Sequence, residues 1–182
     1  NKDDGGDIVE TAFLCQGLIA VREYFKNGNA QEKTLSDKAD KLWKGVEWNW
    51  YTNGENAMYW HWSPTFQWEM KFKLEGYNEC LIAYILGAAS TTHPIPAAAY
   101  HEGWTRNGTI ATTKTQYGIP LIFKYNTVSG NVGPLFWAQY SYLGLDPTQL
   151  SDKYANYWKL TQNQAKIINK YCIDNPKKWK GY

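Results

Sequence analysis

The chain carries little that could build a metal or disulfide site by pattern. It has three cysteines (Cys15, Cys80, Cys172), odd in number and far apart, and only three histidines in 182 residues. No CxxC or His-rich zinc spacing is present, and each Cys sits in an apolar helical run, where a free thiol packs as a small hydrophobe. No apolar run approaches the roughly 20 residues that a membrane-spanning helix needs. Charge of one sign is also lacking. The formal net charge is +2, and Lys and Arg are scattered apart from Lys177, Lys178 and Lys180, so the basic footprint of a nucleic-acid binder is missing. There is no GxGxxG or GxxxxGK[ST] loop, no alternating strand–helix rhythm of a parallel sheet, and no Ser-His-Asp or Cys-His pattern. The His101-Glu102 pair invites a metalloprotease reading, but HExxH needs a second His where Thr105 stands. No cofactor and no metal are expected.

Aromatic residues are abundant. They make up 16% of the chain and include ten tryptophans. Six of these fall in one stretch: Trp43, Trp48, Trp50, Trp60, Trp62 and Trp68. Acidic residues are mixed among them, and Glu79 follows just beyond. A sugar ring presents an apolar C–H face and a rim of hydroxyls, and Trp and Tyr offer a large apolar body with a polar tip. Any single ring is more often core, since Trp is highly buried on average. A chain of this length fits one domain or part of a larger one. It begins at Asn1 rather than Met and reads as the interior of a longer precursor, which leaves export open.

The periodicity predicts helices joined by loops, with short β-hairpins inserted. A helix is expected over 7–25, headed by acidic residues that suit its dipole. A second is expected over 36–50, with Leu35, Ala39, Leu42 and Val46 as its stripe. The runs 59–62 and 66–72 read as a hairpin on which Trp60, Trp62 and Trp68 alternate to one face. A helix is expected over 77–89 and a turn opened by Pro96 over 97–100. An irregular Gly/Thr/Asn-rich stretch follows over 103–133, with a strand at 121–124. Two last helices are expected over 134–143 and 152–173, the latter broken near Leu160. The string Leu35-Ser36-Asp37-Lys38 recurs as Leu150-Ser151-Asp152-Lys153, and each copy is expected to head a helix.

Three constellations could carry chemistry. In Asp3-Asp4-Gly5-Gly6-Asp7-Ile8-Val9-Glu10, Asp7 and Glu10 share a helix face and the Gly pair lets the backbone bend. The acids suit acid–base work or hydroxyl binding, or else simply cap the helix. In Tyr77-Asn78-Glu79-Cys80, a carboxyl among apolar groups has its charged form disfavoured, the condition for a general acid at neutral pH; the plainer role is stabilising a helix start. In Tyr100-His101-Glu102-Gly103-Trp104-Thr105-Arg106, a polar cluster beside Trp104 either lines a cleft or is a buried network. Asn107-Gly108-Thr109 fits the glycosylation pattern.

Together, Asp4-Gly5-Gly6-Asp7-Ile8-Val9-Glu10-Thr11-Ala12-Phe13, Tyr59-Trp60-His61-Trp62-Ser63-Pro64, Glu75-Gly76-Tyr77-Asn78-Glu79-Cys80, Ala99-Tyr100-His101-Glu102-Gly103-Trp104 and Gly133-Pro134-Leu135-Phe136-Trp137 resemble the bacterial glucoamylase-like family, which includes endo-β-1,2-glucanases. The resemblance runs in order over nearly the whole chain. It implies an all-α fold, an (α/α)6 toroid of helical hairpins with short β insertions and a cleft across its mouth. It implies inverting hydrolysis of a β-glucan by an exported, often periplasmic, bacterial protein. Glu79 becomes the main catalytic candidate, with Asp3, Asp7 and Glu10 as acidic cleft residues and Trp60, Trp62, Trp68, Tyr77, His101 and Trp104 as substrate-binding candidates. Family members are roughly twice this length, so residues 1–182 are expected to be about half of the domain. The rest of the same polypeptide, or a second chain, would complete it. The substrate would be the other partner, with no nucleic acid and no membrane span.

Overall fold

The computed structural model describes residues 4–128 and 130–180. These fall into two compact units, 4–74 with 80–104 and 75–79 with 105–180. About half of the described residues are helical, with two two-stranded sheets.

The first unit opens with β1 (Gly6–Asp7), which runs directly into α1 (Ile8–Phe25). Asp7 is the N-cap of α1 and its Oδ1 accepts from the amides of Val9 and Glu10. Such a cap satisfies two of the four orphan amides of a helix start. α2 (Ala30–Lys44) begins six residues earlier than its leucine pattern suggests, because Asn29 and Glu32 form a reciprocal capping box. Its buried face is Ser36, Ala39 and Trp43, and Leu35 and Leu42 point outward, exposed. Small side chains let α1 and α2 pack closely. The Ser36 hydroxyl donates to the Arg22 carbonyl at 2.9 Å, and Arg22 pairs with Asp40 at 3.0 Å. The expected extension of this helix to Trp50 is instead a separate 3-10 turn, Trp48–Thr52.

β2 (His61–Trp62) pairs antiparallel with β1, in register Gly6↔Trp62 and Asp7↔His61. The expected hairpin exists only as scattered bridges, Tyr59↔Lys73 and Ser63↔Gln67. Gln67 and Lys71 have left-handed backbones (φ 53 and 47), which breaks a second strand. α3 (Leu81–Ala89) starts after Glu79, not at Tyr77, and packs on α1. Tyr84 on α3 is a buried tie: its hydroxyl accepts from the Met58 amide and donates to the Leu74 carbonyl, both at 2.9 Å. The unit ends in a π-helical turn, Ala99–Trp104.

The second unit contains the hairpin β3 (Ala111–Gln116) and β4 (Ile119–Phe123). Its turn is Tyr117-Gly118, both with positive φ, the twist that tight hairpins favour. α4 (Phe136–Gln139) is one turn long and continues as a 3-10 turn, Tyr140–Leu143. α5 (Tyr157–Asp174) is unbroken. Asn163 and Gln164 on α5 donate to the carbonyls of Pro120, Gly133 and Pro134 at 2.9–3.0 Å. The two Leu-Ser-Asp-Lys strings are not equivalent: one lies inside α2 and the other in the turn before α5. All three cysteines are free. Cys15 and Cys80 are buried as expected, and Cys172 is exposed.

Candidate functional site

The acidic segment of the first unit is strapped against β2. Its two glycines are explained by closeness rather than by bending. A Cβ on Gly5 would lie 2.1 Å from the Trp62 carbonyl oxygen, and one on Gly6 2.1 Å from the Tyr51 hydroxyl. The Gly5 amide donates to His61 Nε2 at 3.3 Å. Asp4 accepts from the Ser63 hydroxyl, which itself accepts from the amides of Thr65 and Phe66 at 3.1 and 2.8 Å. That hydrogen bond from Ser63 is the main reason the Asp4 carboxyl is held below the usual carboxylate range. Asp7 uses Oδ1 as the cap of α1, at 2.8 and 3.0 Å. The Tyr51 hydroxyl is pushed up by burial and, second, by the charge of Asp7. Glu10 is exposed on the first turn of α1. Asp3 lies outside the described residues.

Beside this strap lies a ring cluster. Trp50 sits 6.1 Å from both Trp62 and Trp68, and Trp68 is also 5.9 Å from Tyr51 and 5.7 Å from Tyr59, between ring centroids. Trp62 and Trp68 are half-buried, and Trp50 is 50% exposed. Trp60 packs instead on Phe72, at 5.7 Å. Trp50 was not among the sequence candidates, yet it joins the other two rings. Its place in the run of six tryptophans from Trp43 to Trp68 is the sequence signal for this.

Two of the ring candidates are core. Trp104 is fully buried against Tyr84, and a Cβ on neighbouring Gly103 would lie 2.6 Å from the Ala57 Cα. Tyr77 is buried among Phe123, Tyr125 and Tyr157. Neither ring presents a face on which a sugar could stack. His101 is half-buried on the π-helical turn, 5.5 Å from Tyr100. Glu102 is exposed and accepts from Asn56 at 3.0 Å.

In the second unit the Glu79 segment is held through its backbone and its neighbours. Gly76 has φ +78, and a Cβ there would lie 2.5 Å from the Thr127 amide. Tyr77 forms a parallel bridge with Tyr125, its amide donating to the Lys124 carbonyl and its carbonyl accepting from the Asn126 amide. The Tyr77 and Tyr142 hydroxyls are 3.1 Å apart, and burial pushes the Tyr142 hydroxyl up to about 12. The Asn78 amide donates to Asn126 at 3.1 Å. Buried Ser141 donates to the Glu79 carbonyl at 2.9 Å. Glu79 is half-buried in a turn. Arg106 pairs with Glu75 at 3.6 Å. Among the described residues, no group of His, Cys, Asp and Glu could hold a metal ion.

A family model described as "Putative glucoamylase" matches residues 71–182. An endo-β-1,2-glucanase from Chitinophaga pinensis, solved with sophorotriose and glucose, is 55% identical with a TM-score of 0.96, covering 100% of this chain and 44% of that one. A β-1,2-glucanase structure from Parabacteroides distasonis is 40% identical with a TM-score of 0.89, covering 100% and 28%. An exo β-1,2-glucooligosaccharide sophorohydrolase (non-reducing end) from the same species is 41% identical over a 200-residue alignment, covering 100% of this chain and 27% of the relative. The chain thus spans less than half the length of the relatives it matches.

Proposed function

The chain belongs to the glucoamylase-like family, and from that premise we propose that the complete protein is a glycoside hydrolase that cuts β-1,2-glucan internally, with inversion. The observation that carries this reading is the likeness over the whole chain to an endo-β-1,2-glucanase, at 55% identity and TM-score 0.96. The half-buried Trp62 ring on β2, paired with the Asp4–Asp7 strap, supports it, because an aromatic face next to carboxylates suits a glucan.

In this proposal Glu79 protonates the departing glycosidic oxygen as general acid. Inversion requires a second carboxylate roughly 6.5–9.5 Å from the acid, with room between them for the attacking water. Asp7 spends Oδ1 on its helix cap and Glu10 lies on an exposed turn. We therefore assign both to hydroxyl binding in the cleft, and the base to Asp3 or to a part of the protein beyond this chain. The complete domain is proposed to be an (α/α)6 toroid, of which residues 1–182 form about half. Its outward apolar residues support this: Leu14, Tyr24, Leu35 and Leu42 on α1 and α2 are exposed, and soluble monomers rarely leave large apolar patches open. Export to the periplasm is part of the same proposal. No helix among the described residues is long and apolar enough to cross a membrane.

The test is reducing-sugar release by the complete protein on a panel of glucans. Release of a ladder of oligosaccharides from β-1,2-glucan, without phosphate, is expected. Release of sophorose alone would replace internal with end-wise cleavage. Strict dependence on phosphate would mark a phosphorylase, and binding without turnover would mark a glycan-binding protein.

A further inference from the structure

The first unit contains a concavity that the proposed acid–base chemistry does not use. It is a cleft of about 390 Å³ lined by Glu47, Asn49, Trp50, Asn53, Trp68 and His93, within the roughly 300–1,000 Å³ of small-molecule sites. One wall is aromatic: the Trp50 and Trp68 rings, tilted 43° to each other. The other walls offer a carboxylate, two side-chain amides and an imidazole. A pyranose needs an apolar surface under one face and mixed donors and acceptors around its edge, and this lining supplies both.

The walls are fixed in place. Trp48 is fully buried and anchors the 3-10 turn that carries Asn49 and Trp50. Within that turn the Thr52 hydroxyl donates to the Asn49 carbonyl at 2.8 Å. Asn53 and Gly54 both take left-handed backbones (φ 49 and 75) that turn the chain at the rim. Opposite, the His93 amide donates to Ser90 Oγ at 3.1 Å, and the Thr92 hydroxyl to the Lys44 carbonyl at 2.5 Å. A backbone held this way loses little freedom when a ligand enters, which favours binding.

The aromatic row leads from the acidic strap to this cleft: Gly6 pairs with Trp62, Trp62 packs on Trp50, and Trp50 lines the cleft. We infer that the cleft is a distal subsite that seats one glucosyl unit of a longer β-glucan, a unit beyond those held at the strap. This inference rests on the function proposed above. Its signature is dependence on chain length, since only chains long enough to reach the cleft gain from it.

The test uses the complete protein carrying Glu79→Gln to prevent turnover, and measures binding of β-1,2-glucooligosaccharides of graded length by calorimetry. Adding Trp50→Ala should weaken binding of the longest chains roughly five- to hundred-fold, the scale of one lost stacking contact, and leave the shortest unchanged. Trp50→Phe should restore most of the loss. Glu47→Ala is a second probe that does not depend on repacking rings, because the Glu47 side chain caps nothing in the 3-10 turn. It should weaken the same long chains only. If the parent binds these chains and both alanine variants match it at every length, or lose all lengths equally, the subsite is overturned and the proposed function stands. A parent that binds none of the chains overturns the proposed function and the subsite with it.

Discussion

Two short segments carry the candidate carboxylates, and different groups are seen to hold them. In the strap of the first unit the carboxylates themselves make the structure. Asp7 caps α1 with Oδ1, and Asp4 takes the Ser63 hydroxyl. In the Glu79 segment of the second unit, neighbouring groups hold the chain: the Gly76 close approach, the Tyr77 bridge, the Asn78–Asn126 pair and the Ser141 bond to the Glu79 carbonyl. A carboxyl that builds its own surroundings costs stability when it is changed.

The largest expected effect follows from that contrast. Glu79→Gln in the complete protein should lower kcat on β-1,2-glucan by at least about 10²-fold, the lower scale of general acid catalysis, with an unchanged melting temperature. Glu102→Gln, an exposed change, should stay near wild type by the same assay. Equal losses in the two would erase the distinction drawn for Glu79.

Asp7 sharpens the comparison from the other side. Asp7→Ala should destabilise the protein by about 1 kcal/mol through the lost cap, whereas Asp7→Asn, an equally good cap, should melt as wild type. Denaturant unfolding measures both. If Asp7→Asn retains stability yet loses as much turnover as Glu79→Gln, Asp7 is the base and the assignment to Asp3 or to another part of the protein is wrong.

The ring cluster should give a binding effect of similar size. Trp62→Ala is expected to weaken glucan binding by about 1–3 kcal/mol, measured by titration, while Trp60→Ala, whose ring packs on Phe72, should do less. Equal losses would place Trp60 in the cleft after all.

The smallest effect concerns acid. The Asp4 carboxyl titrates below its ordinary value because Ser63 donates to it. A carboxyl depressed in the folded state contributes stability above its unfolded pKa and loses it as pH falls through the folded one. Ser63→Ala should therefore lower the melting temperature more near pH 6 than near pH 2, where only the Thr65 and Phe66 amide bonds to its hydroxyl are lost. A shift of equal size at both pH values would show that the bond to Asp4 is not its origin.

What could be read from the sequence depended on how local the signal was. α1 was legible with its boundaries, because Asp7 and the apolar spacing lie within one segment. The start of α2 was also locally written, in Asn29 and Glu32, but the leucines drew the reading to the wrong face. Leu35 and Leu42 are outward, and the packed face is small residues. β3 was missed because its Thr-rich sequence has a loop's composition, and only Tyr117-Gly118 marks the hairpin. Trp104 and Tyr77 could not be told from cleft rings, since burial is decided by distant partners. The support of Glu79 was illegible for the same reason: Ser141 lies 62 residues from it, and Asn126 lies 48 from Asn78.

If Glu79 delivers a proton to the leaving oxygen, the need for it must vanish when the leaving group departs unaided. A β-1,2-glucooligosaccharide bearing a dinitrophenolate leaving group, which departs as a stable anion, needs no such proton. The complete protein carrying Glu79→Gln should hydrolyse that substrate at close to the wild-type rate while its turnover of β-1,2-glucan falls by about 10²-fold or more. Equal loss on both substrates, or loss on neither, would contradict the assignment.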